Sequence, residues 1–386
     1  MFVNLRDRLD LPAGHSIGVA LSGGGDSVAL LHLLRQGGCN VCAATVDHGL
    51  RPDSGAEAAR VAGWCHDWGV PHQVLVWRHG GDVPKGNLMD AARRARRDLL
   101  VRWAVTQGVD TVALGHTADD QAETLLMGLS RAAGIDGLCG LRPDWQVGPV
   151  RFTRPMLRLT RAELRDWLRG QGLRWVEDPT NSNPRFLRAR LRRALADLGP
   201  LGLTPARLAE SAAHLAQARR ALDAATAEAA PQVLHEAAGA LQVDAARLAT
   251  LPPELARRLV QAAVLWISGA DYPPRAADLA RFCAAMMQGR AATLAGCRFK
   301  AGWIAAELRS ATMARWTLAA GGAVRPLGPE GLRQCPDWRA TGLPRHVLEV
   351  TPGLWDGDRL VAAPLAGHGQ GPATCAPSFR DTLLSH

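Results

Sequence analysis

The chain has 386 residues, of which 47% are apolar and 21% are charged, a balance that predicts two or three globular domains with sizeable cores. Early charges argue against a signal peptide, no apolar run approaches the roughly 20 residues of a membrane span, and eight scattered cysteines do not indicate a disulfide framework, so we expect a cytoplasmic protein. The net charge of +9 favours a polyanionic partner.

A glycine-rich turn follows the first predicted strand, Ile17–Leu21, and precedes the first predicted helix, Val28–Leu34. Glycines let an anion approach backbone N–H groups, and a helix N-terminus directs further N–H groups to the same place. Asp26 would repel a phosphate unless a cation intervened, and Mg²⁺ prefers carboxylate and phosphate oxygens together. The turn therefore predicts a magnesium-assisted phosphate site, the alternative being an ordinary strand-to-helix turn. Its residues are Ser22, Gly23, Gly24, Gly25, Asp26 and Ser27.

Strands and helices are predicted to alternate four times along the first third of the chain. Ser54 and Glu57 have the spacing of a capping box at the start of the second helix. The alternation predicts an α/β fold with a doubly wound parallel sheet, whose ligand sites lie at the carboxyl ends of the strands. The further elements are strand Val41–Val46, helix Ser54–Trp68, strand His72–Trp77, helix Asn87–Gln107, strand Thr111–Gly115 and a helix that begins within His116–Thr124.

Polar residues follow two more of these strands, so they are expected at the same edge of the sheet as the glycine-rich turn. His48 and Arg51 follow the second strand and could contact a triphosphate or a polynucleotide. Asp119, Asp120 and Glu123 follow the fourth strand, and the last two share a helix face. We expect one carboxylate to bind Mg²⁺ and others to receive an ammonium group. The alternative is that they only cap the helix.

Arginines are concentrated in two places. Arg93 and Arg96 lie three residues apart on the third helix, where one of them could stabilise phosphate charge in a transition state. Residues 151–193 contain twelve Arg against four acids, which favours binding of a polyanion. A solvated basic face is the alternative in both cases.

The middle of the chain connects these motifs to a second domain. Gly134–Pro149 is predicted to be a loop at the edge of the sheet, and Thr160 with Glu163 predicts a capped helix. Arg185–Arg193 is predicted to be a basic helix or arm. Thr204 and Pro205 should open a long Ala-rich helix. The predicted domains are a catalytic domain at 1–200, a helical linker at 201–234 and a smaller α+β C-terminal domain at 235–386.

Taken together, these motifs resemble the N-type ATP pyrophosphatase (PP-loop) superfamily, and within it the tRNA(Ile)-lysidine synthetase family. The resemblance covers about residues 15–195, and it implies an adenine nucleotide alpha hydrolase-like fold with a divergent tRNA-docking domain at the C-terminus. The chain departs from the family pattern at Asp90, Arg97 and Ala189. The matching residues are Ser22–Ser27, Asp47–Arg51, Ser54, Glu57, Asn87, Ala92, Arg93, Arg96, Gly115, His116, Asp119, Asp120, Glu123, Thr124, Arg154, Pro155, Glu177–Asn181, Arg188 and Arg192.

The resemblance implies a two-step reaction that uses ATP and Mg²⁺. In the first step, ATP would activate the 2-carbonyl of the wobble cytidine in an isoleucine tRNA with a CAU anticodon, with release of pyrophosphate. In the second step, the ε-amine of free L-lysine would displace AMP and leave lysidine. The oligomeric state stays open, a homodimer being one alternative.

The resemblance also implies a role for each motif residue. The catalytic residues would be Asp26, Asp120 and Arg93, and the metal ligands would be Asp26 and Asp120. The nucleotide would be bound by Ser22, Gly23, Gly24, Gly25, Asp26, Ser27, His48 and His116. Lysine would be bound by Asp119, Asp120 and Glu123, and tRNA by Arg51, Asn181, Arg188 and Arg192.

Two other functions stay open at the level of sequence. A tRNA 2-thiolation enzyme of the same fold would adenylate a similar carbonyl but would deliver sulfur through a cysteine, and Cys139 lies in the predicted loop at the edge of the sheet. A non-catalytic tRNA-binding protein would use ATP only as a ligand, and Asp26 and Asp120 would then have no chemical role.

Overall fold

The computed structural model describes residues 5, 9, 16–51, 53–78, 88–177, 187–318, 323–369 and 371–384. The chain divides into two compact units, Met1–Arg219 and Arg220–His386. The division falls within a long helix, between the boundaries at 200 and 234 that the sequence predicts. Across the described residues, every helix is too short or too polar to cross a lipid bilayer.

The first unit alternates strands and helices, as the sequence predicts. Its strands are β1 Ser16–Ala20, β2 Asn40–Asp47, β3 His72–Val76, β4 Thr111–Leu114, β5 Asp144–Val147 and β6 Val150–Thr153. Its helices are α1 Gly25–Gln36, α2 Ser54–Asp67, α3 Leu88–Thr106, α4 Ala118–Leu129, α5 Ile135–Leu138, α6 Arg161–Gly170, α7 Leu187–Leu198 and the start of α8, Pro205–Val233.

The strands form a six-stranded sheet in the order β3-β2-β1-β4-β6-β5. All neighbouring pairs are parallel except β5 with β6, which run antiparallel. The predicted doubly wound parallel sheet is therefore confirmed. The order of strands reverses between β1 and β4, and in such sheets a crevice forms at the carboxyl ends of the two strands beside this reversal. Both the glycine-rich turn and His116 follow these two strands directly.

Helix α1 is apolar on nearly all sides because it is covered on both faces. Val28, Leu30 and Leu31 are fully buried in the same cluster as β1 residues, and Leu164 and Leu168 of α6 belong to that cluster too. Burial of apolar area contributes about 25 cal/mol per Å² to stability, so burial of α1 on both faces holds this helix and the turn before it in place. The site described below is thus carried by a rigid element.

Two local predictions in this unit are wrong. The N-cap position of α2 is Asp53, whose side chain makes no capping bond, and Ser54 lies inside the helix; Glu57 instead accepts a hydrogen bond from Arg51 at 2.6 Å. The segment Gly134–Pro149 is not a loop throughout. It contains α5 and the edge strand β5, which pairs with β6 through the register Trp145 with Phe152. The capping box at the start of α6 is confirmed, since Glu163 Oε2 accepts from the Thr160 N–H at 2.7 Å.

The second unit contains the end of α8 and three antiparallel sheets. The first sheet has the order β7-β8-β11-β10-β9, the second pairs β12 with β16, and the third has the order β13-β14-β15. The strands are β7 Leu234–Ala237, β8 Ala240–Val243, β9 Ala292–Leu294, β10 Cys297–Lys300, β11 Trp303–Ala306, β12 Trp316–Leu318, β13 Ala323–Pro326, β14 Pro352–Asp356, β15 Arg359–Ala362 and β16 Ala373–Cys375. The helices are α9 Ala245–Thr250, α10 Pro253–Ser268, α11 Ala276–Met287, α12 Gly328–Arg333, α13 Arg345–Leu348 and α14 Phe379–Leu384.

The main core of this unit lies between α10, α11 and the five-stranded sheet. Leu259 and Val264 of α10 are fully buried with Phe282 of α11 and with Phe299 and Ile304 of the sheet. The α+β class predicted for the C-terminal part is confirmed.

Candidate functional site

The glycine-rich turn opens a pocket of about 630 Å³ at the carboxyl ends of β1 and β4. The pocket brings together residues that lie far apart in the sequence, as the predicted topology requires. Of the residues predicted to act at the site, the pocket is lined by Ser22, Gly24, Gly25, Asp26, Ser27, His116, Asp120 and Arg192.

The turn has the backbone shape of an anion cradle. Gly23 has a φ of +80°, which favours glycine, and α1 begins two residues later at Gly25. The Ser27 hydroxyl donates to the Gly24 carbonyl at 2.9 Å, and the Ser22 N–H donates to the Ser27 hydroxyl oxygen at 3.2 Å. These bonds tie the turn to the first turn of α1, where free N–H groups and the helix dipole favour a negative charge.

The turn is held from two sides by other parts of the chain. On one side, the Val176 N–H donates to the Gly23 carbonyl at 2.8 Å, and Val176 forms a parallel bridge with Gly24. On the other side, Gly115 approaches the start of α1 so closely that a Cβ at this position would lie 2.9 Å from the Ser27 backbone nitrogen. Glycine is required at 115 because any side chain would meet backbone there.

An arginine that the sequence did not single out lies at the centre of the acidic residues. Arg161 begins α6, and its guanidinium donates to Asp26 at 3.1 Å, to Asp120 at 2.5 Å and to Glu123 at 2.9 Å. Its backbone N–H donates to Asp119 Oδ2 at 2.8 Å. All four predicted acids are therefore brought together, but around one arginine.

Asp120 also caps its own helix. Its Oδ2 accepts from the Thr117 N–H at 2.8 Å and from the Thr117 hydroxyl at 3.0 Å, whereas its Oδ1 faces Arg161. Asp120 thus caps its helix and also lines the pocket. Glu123 is fully buried, accepts from Arg192 at 2.5 Å and lies 3.9 Å from the Arg188 Nε atom. Within the described residues its Oε2 atom has no hydrogen-bond partner.

Burial and pairing with Arg161 shift the pKa values of Asp26 and Asp120 in opposite directions. Burial raises the pKa of Asp26, and the neighbouring Arg161 only partly offsets this. Burial alone would raise the pKa of Asp120 too, but the charge of Arg161 lowers it, and the pKa of this carboxyl is lowered overall. Burial lowers the pKa of Arg161, but the charges of Asp120, Glu123 and Asp26 outweigh burial and raise it above its ordinary value. Arg161 is therefore permanently charged.

A second group of residues gives part of the site a positive character. Arg154 Nε donates to His116 Nδ1 at 3.0 Å, which identifies this nitrogen as an acceptor. Burial and the charge of Arg154 lower the pKa of His116 to about 3, so the ring is neutral near pH 7. Burial and the charge of Arg93 lower the pKa of Arg154 to about 10, and the same two causes lower the pKa of Arg96. Positive side chains that depress one another in this way would be stabilised by a bound anion.

Several other residues singled out from the sequence do not line the pocket, namely Gly23, His48, Arg51, Arg93, Asp119, Glu123 and Arg188. Arg96 lines the pocket, whereas Arg93 is exposed and is not among the lining residues. Arg51 pairs with Glu57, and His48 stacks edge-on against Trp77 with ring centroids 6.1 Å apart. Asn181 lies outside the described residues.

Two pocket residues, Arg161 and Arg165, were missed from the sequence. Trp175, one of the few aromatic residues of segment 151–193, also lines the pocket. The two arginines belong to the arginine-rich segment 151–193, which was a signal for a polyanion and not for individual positions. Cys139 does not line the pocket, is buried, and donates its thiol to the Asp136 carbonyl at 3.3 Å. Among the described residues no group of three or more His, Cys, Asp or Glu is arranged to hold a metal ion alone.

Comparisons with known proteins place these features in context. The PP-loop domain family matches residues 4–198. A tRNA(Ile)-lysidine synthase of Ruegeria pomeroyi is 44% identical over 99% of this chain and 97% of its own length. One of Zymomonas mobilis is 37% identical over 74% of this chain and 86% of its own length. A U34-tRNA thiolase of Methanococcus maripaludis aligns with a TM-score of 0.47 and 18% identity over 55% of this chain and 76% of that one.

Proposed function

Because this chain belongs to the tRNA(Ile)-lysidine synthase family and contains a PP-loop domain, we propose that it ligates free L-lysine to the wobble cytidine of an isoleucine tRNA with a CAU anticodon. It is an ATP-dependent ligase that acts on tRNA. The structural observation that carries the proposal is a pocket lined both by the glycine-rich turn and by Asp26, Asp120 and Arg161. The turn suits a phosphate chain, and the two carboxylates suit a cation. We expect the enzyme to work in the cytoplasm.

The glycine-rich turn would bind the phosphates of ATP. Ser22, Gly23, Gly24, Gly25, Asp26 and Ser27 would form the cradle, together with the free N–H groups of α1. The neutral ring of His116 would contact the nucleotide through a ring nitrogen, and His48 would lie beside the nucleotide. The resemblance assigns a catalytic role to Arg93 on α3, but Arg96 on the same helix has the stronger geometric support because it lines the pocket. A fixed positive charge here would stabilise negative charge that develops as pyrophosphate leaves.

Asp26 and Asp120 would hold Mg²⁺. Mg²⁺ is bound in proteins by one or two carboxylates together with substrate phosphates, so two carboxylates beside a phosphate cradle fit its preference, even though the described residues form no complete metal site. The ion would neutralise charge on the leaving pyrophosphate. Asp26 lies in the first turn of α1, so its carboxylate and the cradle are fixed relative to each other.

Asp119, Asp120 and Glu123 would receive the ammonium groups of lysine. The fully buried Glu123 supports this assignment, because its Oε2 atom has no hydrogen-bond partner among the described residues. The nearest charged donor of this oxygen, Arg188 Nε, lies 3.9 Å away, beyond hydrogen-bond distance, so an ammonium donor would satisfy it better. The amine must be held so that its nitrogen reaches the activated carbonyl, which fixed acids on one helix can do.

The tRNA would be held by arginines outside the deepest part of the pocket. Arg188 and Arg192 lie on α7, and both approach Glu123, so they would link the tRNA to the lysine site. Arg51 and Asn181 are further candidates for this role. Trp175 supplies an aromatic side chain at the pocket wall, on which a base could stack.

Incorporation of labelled lysine into an isoleucine tRNA transcript with a CAU anticodon tests the proposal. We expect incorporation that depends on ATP and Mg²⁺, with a methionine tRNA as the negative control. Mass spectrometry of the modified nucleoside separates lysidine from thiocytidine. No incorporation at saturating ATP and lysine would reject the proposal.

The position of Cys139 argues against the thiolation alternative. Its thiol is buried and bonded to a backbone carbonyl, away from the residues that line the pocket. Cys139→Ser should therefore retain lysine incorporation. Loss of activity in a folded Cys139→Ser enzyme would revive the alternative.

A further inference from the structure

The guanidinium of Arg161 is shared among three carboxylates that come from two different helices. Its Nε atom donates to Asp26 on α1, and its Nη2 and Nη1 atoms donate to Asp120 and Glu123 on α4. The exposed fraction of the Arg161 side chain is 15%, against 26%, 10% and 0% for the three acids. The group is thus buried at the Glu123 end and open to solvent at the Asp26 end.

The Asp26 end of this arrangement has more negative than positive charge. Arg188 and Arg192 add two positive charges, but both contact Glu123, at 3.9 Å and 2.5 Å. Asp26 and Asp120 share the Arg161 guanidinium as their one ion-pair partner among the described residues, so one carboxylate is in excess there. Oxygens that share one donor in this way retain affinity for a further cation.

The planar fork of arginine explains how the acids are kept together. Its N–H groups point in fixed directions, so three acceptors bound to one guanidinium are held in defined positions. Without Arg161, the carboxylates of α1 and α4 would repel each other across a partly buried space. The fork therefore maintains a group of acids that would otherwise move apart.

We propose that Arg161 is a positioning residue that acts as the resident cation of this acidic group: it holds Asp26, Asp120 and Glu123 together and gives up carboxylate oxygens to an incoming cationic ligand. The ligand is either a divalent metal ion or an ammonium group. This inference rests on the proposed function, which assigns the same carboxylates to those two ligands.

The two roles predict opposite effects of removing the charge. If Arg161 competes with the ligand for the carboxylate oxygens, its removal leaves a more negative group, so a free cation should bind more tightly. If Arg161 positions the acids, its removal leaves them poorly placed for catalysis, so turnover should fall. A purely structural arginine would lower stability and both affinities together.

Binding of Mn²⁺ alone and of lysine alone to Arg161→Gln, without ATP or tRNA, tests the proposal. We expect the dissociation constant of at least one of the two to fall about tenfold relative to the wild-type chain, while kcat for pyrophosphate release falls. A fall for Mn²⁺ identifies the metal as the competing ligand, and a fall for lysine identifies the ammonium group. Arg169→Gln is the matched control, because Arg169 lies on the same helix and pairs only with the exposed Asp166 among the described residues. Its affinities should stay within about twofold.

Unchanged or weaker binding of both probes by a folded Arg161→Gln chain would overturn the proposal. If this variant does not fold, Arg161→Lys replaces it, since a compact ammonium does not match the spacing of three carboxylates held around a planar guanidinium, and some oxygens should still be released. Its affinity for one probe should rise less than tenfold but measurably, and no rise would again overturn the proposal. Because the two binding measurements contain no tRNA, their failure is distinct from a failure of lysine incorporation.

Discussion

Replacing Gly115 with alanine should disturb the nucleotide site without removing any polar group. The added Cβ would lie 2.9 Å from the Ser27 nitrogen and 3.0 Å from the Asp26 carbonyl carbon. Both atoms belong to the backbone of α1, so no side-chain rotation can relieve the clash. Such overpacking costs about 1–3 kcal/mol, and we expect the free energy of unfolding to fall by about 2 kcal/mol.

The same change should weaken ATP binding. Relief of the clash requires β4 and the first turn of α1 to separate, and this turn carries the N–H groups of the cradle. A loss of about 1.4 kcal/mol in binding corresponds to a tenfold weaker affinity, so we expect the dissociation constant for an unhydrolysable ATP analogue to rise at least about tenfold. Isothermal titration calorimetry measures this constant, and urea unfolding measures the stability.

Gly63→Ala provides the matched control. Gly63 lies within α2, and a Cβ there would meet nothing within 4 Å. Alanine is favoured over glycine inside a helix by about 1 kcal/mol, so this variant should be more stable than the wild-type chain and should bind the analogue unchanged. If Gly115→Ala matched the wild-type chain in both stability and affinity, the close approach of β4 to α1 would not constrain the site.

Three further variants test the assigned roles. Asp26→Asn should abolish ATP-dependent pyrophosphate release while tRNA binding stays within a few-fold, and a rate near that of the wild-type chain would remove its catalytic assignment. Arg188→Ala combined with Arg192→Ala should weaken tRNA binding and reduce its salt dependence by about one unit of slope for each lost phosphate contact. Unchanged salt dependence would contradict the assignment. Arg192→Ala alone should also lower the free energy of unfolding by about 1.5–3 kcal/mol, since it takes a charged donor from the buried Glu123, and an unfolding curve like that of wild type would refute this.

Local patterns were sufficient to predict the alternating elements of the first unit. Apolar runs such as Val41–Val46 and the helical segment Asn87–Gln107 match β2 and α3 to within one residue at each end. Each of these two elements is determined by the residues within it and by its burial in or against the sheet. The meeting of the glycine-rich turn with His116 and Asp120 then followed from topology, because parallel strands bring their carboxyl ends to one edge.

The errors come from partners that lie far away in the sequence or compete locally. The edge strand β5 is stable only because β6 pairs with it, so its sequence alone resembled a loop. At the start of α2, Arg51 is the partner of Glu57, which leaves Ser54 without the expected capping bond. Arg161 was one of twelve arginines in its segment, and nothing local shows that it contacts Asp26, 135 residues earlier.

The hydrogen bond from Val176 to Gly23 links two segments with different assigned roles. The first is proposed to bind the phosphates, and the second begins the Glu177–Asn181 motif by which the chain resembles its tRNA-modifying family. This hydrogen bond joins backbone atoms, so it does not depend on which side chain stands at position 176. Nineteen of the twenty amino acids can supply that N–H group, and only proline lacks it. Side-chain substitutions can therefore change the binding properties of either segment while the backbone hydrogen bond between the two segments is kept.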